Sequence, residues 1–361
     1  MIIFNKDSIM HNAVDHNSEQ ASLFFKNEKG YKKLRWKYSK NSKLRFIDLF
    51  AGIGGFRMGM QNKNAECVFS SEWDSDSRKT YQANFNEKPK GDINKISIKD
   101  IPDFDILLAG FPCQPFSKIG MRQGFKHKTQ GNLFFNILEI LENKQPISFI
   151  LENVSGLMTH KSGEKKTIDI MFSKLEDLEY EVHYKILNAA DFGVPQIRRR
   201  VFIVGFKKKF FSSYTNFEFP KGSEEKIFIN RFIETHYDGY NISKRLQKSY
   251  IYKFDDGKPE IIDRNSRIQV KTLVSTYHKI QRITGTFVKD GKTGLRLLSE
   301  NECKTIMGFP KNFKFPVSRT QMYRQIGNAV VVPVVKALAK EIIKVLNHNK
   351  SIHEQKYKKS A

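Results

Sequence analysis

The chain has 361 residues, 39% of them hydrophobic, which suffices for one sizeable core and a smaller lobe. No apolar run approaches a membrane span, and no basic, apolar, then small-residue pattern opens the chain, so a soluble, cytoplasmic protein with no membrane partner is expected. With 62 Lys+Arg against 38 Asp+Glu the net charge is +24, which suits a polyanionic partner because each neutralised phosphate releases counterions, although Lys-, Asn-, Ile- and Phe-rich usage also follows from an AT-rich genome.

Residues 1–44 are polar and Lys-rich with no sustained period, and read as a basic N-terminal arm, partly disordered or weakly helical. At Arg45 the character changes. Phe46 to Phe50 is a short apolar run that enters Ala51-Gly52-Ile53-Gly54-Gly55 and then a helical stretch, the pattern of strand, Gly-rich turn and helix. Further buried strands are expected at Ala65–Ser70, Phe104–Ala109, Ser148–Leu151, Tyr180–Leu187 and Val201–Phe206, with helices at Asn132–Glu142 and Thr167–Leu178. That alternation predicts an α/β fold built on a doubly wound, mostly parallel sheet. From Phe206 to about 295 the alternation stops and a smaller lobe is expected. Helices at Ser299–Met307 and Val331–Val345 close the chain, the second packing back on the sheet.

The three cysteines are far apart and odd in number, which excludes a disulfide framework or a CxxC metal site. Cys67 and Cys303 read as small buried hydrophobes. Cys113 differs, because Asp105 to Ala109 forms a strand that delivers Gly110-Phe111-Pro112-Cys113-Gln114-Pro115 to the carboxyl edge, where open α/β sheets bind ligands. The flanking prolines stiffen the backbone there, and a thiolate so placed could act as a nucleophile if nearby cations lower its pKa. On these residues alone a structural cysteine is as good a reading.

The Gly-rich turn lacks the last glycine of GxGxxG, where Arg57 stands, yet strand and helix still flank it. Glu72, about 20 residues on, is placed to accept hydrogen bonds from ribose hydroxyls. Trp73 offers a flat face, and Gly91-Asp92-Ile93 adds an acid and an apolar wall. The strand ending Leu151-Glu152-Asn153 brings another acid to the carboxyl edge. In Gln196-Ile197-Arg198-Arg199-Arg200, strand alternation sends Gln196, Arg198 and Arg200 to one side. An acid, a thiol and guanidiniums in one pocket either serve chemistry or form an ion pair holding the sheet edge.

In order along the chain, FAGIGG at 50–55, EW at 72–73, GDI at 91–93, GFPCQPFS at 110–117, GNLFF at 131–135, LENV at 151–154, QIRRR at 196–200, RLLSENE at 296–302 and QIGNAV at 325–330 resemble the bacterial cytosine-5 DNA methyltransferases of restriction–modification systems. The resemblance covers about residues 45–345. It implies a Rossmann-like S-adenosylmethionine-dependent methyltransferase sheet with a smaller, mostly irregular or β target-recognition domain. The implied division is a basic arm at 1–44, a catalytic and cofactor-binding domain at 45–205, target recognition at 206–295, a return to the catalytic domain at 296–345 and a basic tail at 346–361.

What the resemblance implies for chemistry is methyl transfer from S-adenosylmethionine to C5 of a cytosine flipped out of a specific duplex DNA sequence. Cys113 would add to C6, Glu152 would protonate or hydrogen-bond N3, and Arg200 and Arg198 would hold O2 and steady the other groups. Phe50, Gly52, Gly54, Gly55, Glu72, Trp73, Asp92, Ile93, Pro112, Leu133, Asn328 and Ala329 would bind the methyl donor, with no metal. Gln196, Arg267, Lys271 and Thr272 are the expected DNA contacts, each of the last three read equally well as part of a solvated strand. The enzyme is expected to be a cytoplasmic, nucleoid-associated monomer, with a cognate restriction endonuclease acting separately. Two other readings use the same residues: an RNA cytosine-5 methyltransferase of the same fold, for which region 206–295 is long and neither Cys67 nor Cys303 is placed as a second active cysteine, and a silent DNA-binding module, against which Cys113, Glu152 and Arg200 are all intact.

Overall fold

The structure, a computed structural model, describes residues 24–27, 30–33, 43–111, 133–162, 164–211, 214–237 and 239–359. The chain divides into two units, Met1–Lys40 and Asn41–Ala361. In the first, β1 (Phe24–Asn27) and β2 (Gly30–Lys33) pair antiparallel, with Phe24 opposite Lys33. The sequence predicts a partly disordered or weakly helical arm, and the residues described within it are extended rather than helical. Aromatic residues bounded by Asn27 and Gly30, both turn formers, favour a hairpin instead.

In the second unit the chain runs β3 (Leu44–Leu49), α1 (Gly55–Met60), β4 (Ala65–Ser71), α2 (Ser75–Phe85), β5 (Ile106–Gly110), α3 (Leu133–Lys144) and β6 (Ser148–Val154). A small hairpin of β7 (Lys161–Ser162) and β8 (Lys165–Lys166) follows, then α4 (Thr167–Asp177), β9 (Tyr180–Asn188) and β10 (Arg199–Lys207). Six strands form one sheet in the order β4–β3–β5–β6–β10–β9. β3 to β6 are parallel, while β10 runs antiparallel to both β6 and β9. The expected mostly parallel α/β sheet is therefore present, with one reversed strand.

Both faces of the inner strands β3, β5, β6 and β10 are covered, so these read as largely apolar runs rather than as alternation. Phe46, Ile47, Ile106 to Ala109, Phe149 to Leu151 and Val201 to Val204 are all at most 2% exposed. Residues 47, 49, 107, 109, 149, 151, 201 and 203 share one core cluster with Ile137, Leu138 and Leu141 of α3 and Ile168, Met171 and Leu175 of α4. The chain leaves β3 toward β4 and returns on the other side through β5. That reversal opens a crevice at the carboxyl ends of β3 and β5.

Between Lys207 and Arg296 regular structure is sparse: besides short 3-10 turns, a turn of helix α5 (Lys244–Leu246) running into a π-helical turn, and the parallel pair β11 (Glu260–Ile262) and β12 (Thr286–Val288). The fully buried Arg296 ties this region down, pairing with Glu302 at 2.8 Å and Asp290 at 3.0 Å and donating to the Glu234 carbonyl. Helix α6 (Glu300–Met307) starts at Ser299 through a capping box with Glu302.

Helix α7 (Arg319–Asn328) carries only Met322, Tyr323 and Ile326 as large buried apolar residues, too weak a stripe to read from sequence. Helix α8 (Val332–Lys359) buries Val335, Leu338, Ala339, Ile342 and Leu346 at helical spacing. It continues well past the expected end at Val345, because no Gly or Pro interrupts the Lys-containing stretch beyond it. Against α1 it comes close: a Cβ on Gly55 would lie 2.9 Å from Val330, and one on Gly59 2.6 Å from Val335.

Candidate catalytic and cofactor site

The turn after β3 alternates in hand. Phe50 (φ 53°), Gly52 (φ 55°) and Gly54 (φ 86°) are left-handed, a conformation costly for a side chain as large as that of Phe50. Gly54 donates to the Ala51 carbonyl at 2.8 Å and opens α1. A Cβ at Gly52 would meet nothing within 4 Å, so this backbone faces open space.

Glu72, just past β4, is buried, and its two carboxylate oxygens accept the Gly52 and Asp74 amides at 2.8 Å each. Burial raises its pKa, while those amides pull it back. Trp73 is 70% exposed. Backbone bonds between Glu72 and Lys90, and between Lys90 and Ser70, lay the chain beside β4 and bring Gly91, Asp92 and Ile93 to the same end. Ile93 is buried, whereas Asp92 turns its carboxylate on Asn94 to cap a short 3-10 turn. Leu133 opens α3 half-buried against the core. Asn328 ends α7 exposed, and Ala329 follows it buried.

At the next two strand ends, Gly110 of β5 pairs in register with Glu152 of β6. The side-chain amide of Asn153, 2% exposed, donates to the Phe111 carbonyl at 2.9 Å and fastens the end of β5 to β6. Pro112 and Cys113 come next in the sequence and lie outside the described residues. Because β10 runs against β6, its first residues arrive where β6 ends: Arg200 is opposite Val154, and its Nε stands 3.1 Å from Oε1 of Glu152. Burial raises the Glu152 pKa, opposed by the positive charges of Arg200 and then Arg198.

Arg198, 4% exposed, reaches elsewhere. It donates to the carbonyls of Leu273, Gly327 and Ala329, each at 3.0 Å. Burial, then Arg200, holds its pKa below the ordinary value. One side chain thus links the start of β10, segment 267–273 and the end of α7.

Gln196, expected as a DNA contact, is fully buried. Its amide donates to the Ile306 carbonyl at 2.8 Å and accepts the Leu273 amide at 2.7 Å, so it stitches three segments together with no atom offered to a ligand. Segment 267–273 runs alongside 195–197, with Val270 paired to Gln196. Arg267 is exposed over the Phe228 ring at 5.6 Å, Lys271 is half-buried, and the Thr272 hydroxyl donates to the Ile197 carbonyl at 2.7 Å. Sequence reasoning gave no role to Asn153; its signal was an amide directly after an acid in an otherwise apolar strand.

Comparison with known proteins adds to this geometry. The C-5 cytosine-specific DNA methylase family model matches residues 44–344. The Type II methyltransferase M.BsuFI of Bacillus subtilis is 56% identical over 304 residues, which are 84% of this chain and 73% of that protein. The Type II methyltransferase M.MspI of Moraxella sp is 52% identical over 315 residues, 87% and 73% of the two chains. Among solved structures, a DNMT2 of Spodoptera frugiperda superposes with a TM-score of 0.69 at 21% identity, covering 83% of this chain and all of that one. The methyltransferase EhMeth of Entamoeba histolytica gives 0.68 at 21% identity over 85% and 99%. These two structures share the fold.

Proposed function

The chain belongs to the C-5 cytosine-specific DNA methylase family and is a DNA cytosine-5 methyltransferase of restriction–modification type; from that premise we propose how its residues divide the work. Cys113 adds to C6 of a cytosine extruded from duplex DNA, Glu152 engages N3 and the exocyclic amine, and Arg200 holds O2. The observation that carries this is the meeting of Glu152 and Arg200 at 3.1 Å on the edge where β5 ends. Cys113 follows two residues after Phe111 in the sequence, and Asn153 ties Phe111 beside that acid.

Adding a thiolate at C6 breaks the ring's aromaticity and makes C5 nucleophilic. Negative charge then develops at O2 and N3, where a guanidinium and a carboxylic acid stabilise it. Burial raises the Glu152 pKa from its ordinary value against the pull of Arg200 and Arg198, a shift in the direction of the protonated form that can donate to N3. The other two cysteines are poor candidates for the attack. Burial pushes the Cys67 thiol up to about 12 and that of Cys303 well above its ordinary value, which suppresses the reactive thiolate.

The residues at β3 and β4 fit S-adenosylmethionine, which supplies an electrophilic methyl group. The open backbone at Gly52 admits a close ligand, and each Glu72 oxygen keeps a lone pair for a ribose hydroxyl. Phe50, Gly54, Gly55 and the exposed Trp73 would flank the adenosine. Asp92 and Ile93 would close one side, Pro112 and Leu133 another, and Asn328 with Ala329 would approach from the end of α7. We assign 45–205 and 296–345 to catalysis and cofactor binding and 206–295 to target recognition, with 1–44 as a basic arm and 346–361 as a basic tail. Arg267, Lys271 and Thr272 are carried forward as DNA contacts; Gln196 is not. The enzyme would act as a monomer on cellular DNA, with any cognate endonuclease separate.

The test is to incubate the protein with labelled S-adenosylmethionine and either duplex DNA or transfer RNA, mapping the product by bisulfite sequencing. Methylcytosine in DNA, abolished by Cys113→Ser, is the expected result. Label confined to RNA, or full turnover by the serine variant, would overturn the assignment.

A further inference from the structure

The crossover from β6 to α4 leaves the same edge of the sheet as Glu152. It makes a short 3-10 turn at Ser155–Met158 and then rises into the β7–β8 hairpin. The base of the hairpin is fixed: the Thr167 amide donates to the His160 carbonyl at 2.9 Å, and His160 Nδ1 lies 2.7 Å from the buried Thr167 hydroxyl. Held there, Lys161 stands directly across from Lys166, with Lys165 next to it.

Side chains opposed in this way have Cβ atoms about 5 Å apart, and like charges in such positions destabilise the pair. All three lysines are exposed, and among the described residues none of them forms an ion pair. The one acid in the hairpin, Glu164, is exposed and outnumbered. A hairpin of this length has little hydrogen bonding to offset the repulsion, yet it is anchored at its base. Its charges are concentrated where a polyanion would relieve them more strongly than dissolved counterions do.

We propose that the β7–β8 hairpin is a phosphate-contacting element for duplex DNA, with Lys161, Lys165 and Lys166 gripping the backbone beside the extruded cytosine, on the catalytic side rather than through segment 206–295. This rests on the functional reading above. It commits to duplex DNA because the hairpin springs from the strand that carries the proposed N3 partner, and because three unpaired cations complement a polyanion.

The experiment measures the affinity of the full-length protein for a duplex by fluorescence anisotropy between 50 and 200 mM salt. The variants are Lys161→Gln/Lys165→Gln/Lys166→Gln and, separately, Lys161→Glu. Each phosphate contact contributes about 0.9 to the slope of log K against log salt, so the triple variant should lose about 2–3 units of slope. Its loss should appear in KM for DNA rather than in kcat. Lys161→Glu would face Lys166 with opposite charge, so the free protein should melt no lower than wild type while its DNA affinity falls; an inert surface hairpin would not show that opposition. A triple-variant slope within about half a unit of wild type overturns the inference, as does loss of affinity for folded RNA with duplex binding intact. Wild-type protein that fails to methylate duplex DNA would sink the functional reading instead, whereas wild-type methylation with an unchanged slope sinks this assignment alone.

Discussion

Glu152 is half-buried and Asp48 fully buried, and the two acids differ in what surrounds them. Glu152 has Arg200 at 3.1 Å and lies where substrate is proposed to sit. Replacing it by Gln keeps the shape but removes the transferable proton, so kcat should fall by about 10²–10⁴ with DNA binding retained, read in single-turnover assays. Asp48, on β3, is fully buried, and among the described residues neither of its carboxylate oxygens has a hydrogen-bond partner. Burial raises its pKa well above the ordinary 3.8, with Arg57 opposing. The folded protein therefore keeps a proton that the unfolded chain has lost. The stability contributed by this carboxyl is intact below about 3.8 and erodes as pH climbs from there toward its raised folded value. Asp48→Asn should gain stability relative to wild type as pH rises from 4 to 7 in thermal melts, and a flat difference would contradict the assignment. Glu152 was legible in the sequence because an acid ending an apolar strand at the carboxyl edge needs a reason. Gln196 was misread, because strand alternation says which side a residue faces and not whether another segment, here 270–273, covers that side.

Among the elements, α1 and α8 show how a distant part of the chain completes a site. Gly55 and Gly59 remove the side chains that would hold α8 away from α1. Gly59→Ala would drive a methyl group into Val335, costing about 1–3 kcal/mol in denaturant melts. Because Val330 and Ala329 lead into that helix, the same variant should weaken S-adenosylmethionine binding, measured by calorimetry. An unchanged affinity would detach α8 from cofactor binding. The return of this helix was readable from its apolar stripe. The reversed direction of β10 was not, since a strand buried on both faces carries no mark of its polarity. Helix α7 was hidden by its polar composition, and the stretch from 208 to 295 is held in part by side-chain bonds such as those of Arg282 to Asp256 and of Asp290 to Arg296, which leave no periodic trace.

For the whole molecule, the charge of +24 says that nucleic acid is a fitting partner but not where it lies. That needs the fold, which sets β6, β10 and segment 267–273 along one edge. The guanidinium of Arg198 has a consequence for energy exchange along that edge. It grips a carbonyl in the proposed DNA-reading segment with one nitrogen and two carbonyls beside the proposed methyl-donor residues with another. Two ligands that each steady the same clasp must favour one another's binding, and to the same degree in either direction. Duplex DNA should tighten the affinity for S-adenosylhomocysteine and be tightened by it in equal proportion, and Arg198→Lys, with fewer prongs to span both banks, should leave the two equilibria deaf to each other.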